Sequence, residues 1–188
     1  MGRGSNLPTF RSFRFDCLTA GTPEQLSPKI RGTGIAFNEN TASADTITDS
    51  NSGFLIQGFE AGMAITVAGS SSNDGSYTIG SVTAGTITLI AANDLATEAS
   101  GATVTITSGG LTIPDGIAVV VKANRSNTGY VQVADSSVKA DTSNTPTGGF
   151  ELSPNGSVTL QVDNTADIWV DSTVSGDDVE VILEVDRS

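Results

Sequence analysis

Side chains able to perform chemistry are scarce in this chain. Histidine is absent and Cys17 is the single cysteine, which excludes Ser-His-Asp and Cys-His nucleophilic sites, the common zinc hydrolase centres and the usual general base. Cys17 has no partner for an intrachain disulfide and no histidine to activate its thiol, so it reads as a small buried apolar residue. No Gly-Lys-Ser/Thr phosphate loop is present, and Gly32-Thr33-Gly34 is too short to stand for one. What remains is carboxylate. Asp163, Asp167, Asp171, Asp177 and Asp178 lie close in sequence and offer the oxygen ligands that Ca²⁺ takes, but their spacing matches no dedicated calcium loop. A solvated acidic rim on strand ends is the preferred reading, and no metal or cofactor is expected. A glycosidase would need two carboxylates across an aromatic-lined cleft, and one Trp with two Tyr is little to line it. The chain is expected not to be an enzyme.

The sharpest functional candidate is Phe10-Arg11-Ser12-Phe13-Arg14-Phe15, preceded by the polar, charged Met1-Gly2-Arg3-Gly4-Ser5-Asn6. As an arm, residues 1–15 could lie across an acidic neighbour, burying Phe10 or Phe13 and pairing Arg3, Arg11 or Arg14 with carboxylates. The alternative makes Phe13 and Phe15 inward residues of a first strand and leaves the arginines solvated. Both readings stay open at this stage. Stacking on nucleic acid is a third use of such residues, opposed by a formal net charge of -12.

The elements that must position these residues are strands. Apolar residues alternate with Thr at Ile65-Thr66-Val67, Tyr77-Thr78-Ile79, Ile87-Thr88-Leu89 and Val104-Thr105-Ile106, the period of half-buried strands. Turn clusters separate them, among them Gly69 to Gly75 and Thr83-Ala84-Gly85. One helical turn is expected at Asp94–Glu98, capped by Asp94, with Leu95 plugging the end of a small barrel. Further on, Ile117 to Val121 is nearly continuous. Val131 and Val133 alternate with Gln132, Val158 and Leu160 with Thr159, and Val179, Val181, Leu183 and Val185 with Glu180 and Glu184. That is the pattern of a β-sandwich or jelly-roll-like module, with a reversal at Ser153-Pro154-Asn155-Gly156. Glycine-rich joints at 32–34 and 108–110 make the stretch between them look inserted. The expected organisation is all-β: an arm over residues 1–15, a discontinuous sandwich module over 16–31 plus 111–188, and an inserted small β-barrel over 35–108.

Charge follows the same division. Residues 1–34 are basic on balance, 35–110 hold no Lys or Arg, and the remainder is acidic. Such a body repels nucleic acid and can dock its basic front end on an acidic partner. Neither a membrane span nor the apolar region of a signal peptide is found, so a soluble chain made in a cytoplasm is expected.

Read directly across the inserted stretch, Thr19-Ala20-Gly21-Thr22-Pro23-Glu24-Gln25-Leu26-Ser27 and Ile113-Pro114-Asp115-Gly116-Ile117 through Asn124 resemble one module that recurs in tailed-bacteriophage virion proteins. The likeness continues through Asn127-Thr128-Gly129-Tyr130-Val131-Gln132-Val133, Leu152 to Leu160, Val162-Asp163-Asn164 and Asp167-Ile168-Trp169-Val170-Asp171. Between the joints, Ser52-Gly53-Phe54, Gly58 to Met63, Ile65-Thr66-Val67, Gly69-Ser70 and Asn73 to Ile79 are similar to a second phage-associated unit. These motifs consist of core and turn residues, so they speak to fold before function. The resemblance implies a virion component, foremost a capsid decoration (cement) or head-fibre protein on the outer capsid surface. Its implied partner is the major capsid protein, and its implied state a homo-oligomer, a trimer by analogy. A tail, baseplate or fibre-adaptor protein and a host-surface binding module are the rivals.

Overall fold

The computed structural model describes residues 9–91, 94–138 and 148–185. Within them the chain is all-β: β1 (Thr9–Asp16), β2 (Glu24–Gln25), β3 (Lys29–Gly32), β4 (Ile35–Asn38), β5 (Thr46–Asp49), β6 (Ala64–Ala68), β7 (Gly75–Val82), β8 (Thr86–Leu89), β9 (Val104–Ser108), β10 (Val119–Ala123), β11 (Val131–Ala134), β12 (Phe150–Leu152), β13 (Ser157–Leu160), β14 (Trp169–Ser172) and β15 (Asp178–Val185), with one 3-10 turn at Thr165–Asp167. The chain forms two compact units, residues 1–26 with 110–188 and residues 27–109.

The discontinuous unit is a sandwich of two four-stranded antiparallel sheets, ordered β1-β15-β10-β13 and β12-β11-β14-β2. Successive strands repeatedly change sheet, which is how a two-layer β fold brings distant segments together. Alternation decides the faces of the first sheet: Phe13, Phe15, Val119, Val121, Val179, Val181 and Leu183 are buried, while Phe10, Ser12, Glu180 and Ile182 are exposed. In the second sheet Val131, Val133, Leu152 and Val170 are buried. Gln132 departs from the expected pattern, being 1% exposed. It lies opposite Glu151 on one side and the buried Asp171 on the other, and its Nε2 donates to Glu151 at 3.1 Å. The Pro154-Asn155 reversal closes through Gly156 N–H donating to the Ser153 carbonyl at 2.7 Å. Asn155 has φ 74°, the left-handed conformation that Asn tolerates better than most residues.

The other unit is one seven-stranded antiparallel sheet, ordered β3-β9-β6-β7-β8-β5-β4. Its core gathers Ile35, Phe37, Ile47, Phe54, Phe59, Ile65, Val67, Ile79, Ile87, Leu89, Leu95, Val104 and Ile106, with Phe54 and Phe59 meeting edge to face at 6.0 Å between ring centroids. The two edge strands, β3 and β4, are separated in the chain by only Thr33 and Gly34, so the sheet curls to bring its edges close. The expected closed barrel is not what the hydrogen bonds show, because no ladder joins β3 to β4 among the described residues.

Two further expectations are corrected here. Residues 29–32 pair with β9 inside the inserted unit, so the unit begins at Ser27 and Gly32-Thr33-Gly34 is the bend between its own edge strands. No helical turn forms at 94–98. The Leu95 N–H is instead taken by the Asp45 carboxylate at 2.7 Å, and Glu98 pairs with Phe37 through both backbone groups at 2.9 Å. Leu95 is nevertheless buried in that core.

Candidate functional site

Of the interface residues read from sequence, Arg3 lies outside the described residues. The other four fall on β1, which pairs with β15 over its full length. Phe10 is 67% exposed and Phe13 only 4%, so the strand splits the pair: Phe13 is core, and Phe10 shares the outer face with Ser12 and Arg14. Arg11, half-buried, points to the opposite side from Arg14. Arg14 is anchored, its Nε to Asp16 and its Nη2 to Asp178, both at 2.9 Å. Phe10 and Arg14 are therefore the two site residues that the fold brings to one surface. Sequence reasoning missed what joins them there, the exposed Ile182 and the half-buried Val120, which lie opposite each other. Their signal was legible as apolar residues at the polar phase of two alternating strands. Lys122 and Glu180, 3.7 Å from each other, flank them.

The aspartates read as a rim are mostly something else. Asp163 and Asp167 are exposed, but Asp171, Asp177 and Asp178 are buried. Asp177 accepts the Thr128 and Gly129 N–H groups at 3.1 and 2.8 Å. A Cβ on Gly129 would come 2.2 Å from Thr173 Oγ1, so only glycine allows the backbone this close. Next to it, Asn127 Nδ2 donates to the Asp178 carbonyl at 2.8 Å, and the Asp178 N–H donates to Asn127 Oδ1 at 3.0 Å. The Asn-x-x-Asn-Thr-Gly motif is thus a clamp that fixes the loop after β10 to the start of β15. Burial pushes the Asp178 carboxyl up, reinforced by Asp16 and Glu180 and opposed by Asn124 and Arg14.

The Val-Asp-Asn motif is a second fastening. Asn164 caps the 3-10 turn by accepting the Ala166 N–H at 2.8 Å. The Asp163 carbonyl accepts from Ile113 N–H at 2.8 Å, and Thr165 Oγ1 accepts from Leu111 N–H at 2.9 Å. In the inserted unit, Glu98 accepts the Ser71 and Ser72 N–H groups at 2.9 and 3.2 Å and the Asn73 amide at 3.1 Å. The Ser71 N–H bond is the largest cause holding this carboxyl below its ordinary range. Each of these polar sets hydrogen-bonds backbone and so shapes a loop.

Concavities among the described residues offer other candidates. An acidic recess of about 420 Å³ in the inserted unit is lined by Glu39, Asn40, Asp45 and Asp94, but Asp45 is spoken for by the N–H groups of Asn40 and Leu95. An apolar groove of about 280 Å³ in the discontinuous unit is lined by Val133, Phe150, Leu160, Val162 and Ile168. No group of three or more metal-ligating side chains occurs among the described residues, and none of their helices is long and apolar enough to cross a membrane. Comparison with family models, curated proteins and solved structures finds no match.

Proposed function

We propose that this chain is a non-enzymatic structural protein of a tailed-bacteriophage virion, a capsid decoration protein that binds the outer shell and bridges major capsid subunits, acting as a homo-oligomer. The observation that supports this reading most is the behaviour of the residues that carry the resemblance. The stretches on either side of the insertion, which read as one module, interlock in one unit through Gln25 paired with Trp169 and the Leu26 N–H bonded to the Ile168 carbonyl at 2.8 Å. The polar residues of its motifs hydrogen-bond backbone and so fasten loops. Such a protein acts by binding the assembled shell in preference to free subunits, which stabilises the shell by mass action and by multivalent contact.

Cosedimentation with bare expanded capsids tests this. The comparison uses the full chain, a chain lacking residues 1–8, and Phe10→Ser; truncation through residue 15 would delete β1 and expose the core. Saturable binding, weakened by Phe10→Ser, is the expected result. Absence of capsid binding by the intact chain, with binding to purified tails, would overturn the decoration reading in favour of a tail or fibre-adaptor role.

A further inference from the structure

β1 is an eight-residue strand at the edge of its sheet, with one neighbour among the described residues, β15. Which of its backbone groups are used follows from two flanking bonds. Cys17 N–H donates to Asp177 and Asn124 N–H to Asp178, so β15 spends its odd-numbered residues on β1 and its even-numbered ones on β10. The odd-numbered residues of β1 are thereby paired. The N–H and C=O groups of Phe10, Ser12 and Arg14 point away from the sheet, and no described residue bonds them. Edge strands are usually protected by proline, a bulge or a short length. β1 has no proline and keeps eight consecutive pairs without a break in register.

We propose that β1 pairs antiparallel with β1 of a second copy about a two-fold axis through Ser12, joining two four-stranded sheets into one of eight strands. Charge selects the occupant. The whole chain carries -12, so two copies repel over most of their surface, but β1 itself sets Arg11 and Arg14 against Asp16, and Arg14 is paired with both Asp16 and Asp178. This near-neutral strip lets like approach like. Charge also selects the register. With Ser12 opposite Ser12 of the second copy, Phe10 lies opposite Arg14 twice, a cation against an aromatic face, and the antiparallel pattern gives about six new hydrogen bonds. Moving the axis to Arg14 would set guanidinium against guanidinium. A single strand edge offers little area against the roughly 1,200 Å² of a stable complex, so a weak, concentration-dependent dimer is expected. It stands independently of the virion reading.

Sedimentation equilibrium of the full chain tests it, at about 0.05 M and about 0.5 M salt. Association should strengthen with salt, because screening relieves the repulsion of the acidic bodies. Ser12→Pro removes an outward N–H at an edge, where proline is tolerated, and Ser12→Lys places like charges across the axis. Each should lower the association constant at least about tenfold, and mixing Ser12→Lys with Ser12→Glu should restore a heterodimer. Circular dichroism unchanged in Ser12→Lys keeps that result interpretable if the proline variant unfolds. A wild-type chain that stays monomeric to about 1 mM in high salt, or an oligomer that Ser12→Lys leaves intact, would overturn the proposal.

Discussion

Replacing Asn127 by alanine should cost the discontinuous unit about 1.5–4 kcal/mol. The figure follows from which backbone groups lose a partner. Asn127 is 8% exposed and serves both the N–H and the carbonyl of Asp178. After truncation the carbonyl keeps one bond, since Asn124 N–H also donates to it at 3.0 Å, so it loses only a second bond worth about 0.5–1 kcal/mol. The Asp178 N–H keeps none, and an orphaned buried donor costs about 1–3 kcal/mol. Urea unfolding followed by the fluorescence of Trp169, the only tryptophan, reads this unit, because Trp169 lies in β14. The midpoint should fall with the slope unchanged, and the melting temperature should drop on the order of 10 °C. Ser126→Ala, at an exposed position, is the control and should stay within about 0.5 kcal/mol. A loss below about 0.5 kcal/mol in Asn127→Ala would refute the clamp.

Phe13→Ala should destabilise by about 3–5 kcal/mol, whereas Phe10→Ser should leave stability within about 0.5 kcal/mol; paired denaturant curves distinguish core from surface on the same strand. Gly129→Ala should cost at least about 2 kcal/mol, because its Cβ would sit 2.2 Å from Thr173 Oγ1 and 2.8 Å from Val174 Cγ2, and a near-wild-type melting temperature would contradict that crowding. Glu98 has its carboxyl held low in the folded state, so its contribution is complete above the ordinary glutamate range and disappears as pH falls through the folded value. Wild type should therefore lose stability on acidification more steeply than Glu98→Gln, read by thermal melts from neutral pH to about pH 3. Asp178 has the opposite sign, since its raised carboxyl favours the fold below the ordinary aspartate range and loses that advantage as pH rises through the folded value.

Much of the fold was legible because period-2 alternation is set by one bit per residue, inward or outward, and a strand with one buried face cannot hide it. Phe13 and Phe15 against Phe10 and Arg14 follow that rule, as do Val179, Val181 and Leu183. The failures share a cause. Asp94–Glu98 carries a plausible cap, yet Asp45, some fifty residues away in sequence, takes the Leu95 N–H, and Phe37 takes both backbone groups of Glu98. Lys29–Gly32 reads like the end of the first module, and only its pairing with Thr107 to Val104 assigns it to the insertion. Buried Asp171, Asp177 and Asp178 look like rim residues because aspartate is common in turns, and nothing local reveals that Asp177 answers the backbone of Thr128 and Gly129. Local pattern reports a residue's face, whereas its partners are tertiary facts.

The inserted unit begins and ends on neighbouring antiparallel strands, with the Ser108 N–H donating to the Pro28 carbonyl at 2.9 Å. A unit whose two ends meet this closely spans no more distance in its host than a hairpin turn does, and loop closure of that kind costs little chain entropy. It is a cassette. Residues 27–109 can be excised and Leu26 rejoined to Gly110 through a short flexible tether, or another small domain with adjacent termini can be grafted in their place. The host sandwich, whose strands come from both sides of the splice, would then serve as a display platform with an exchangeable payload.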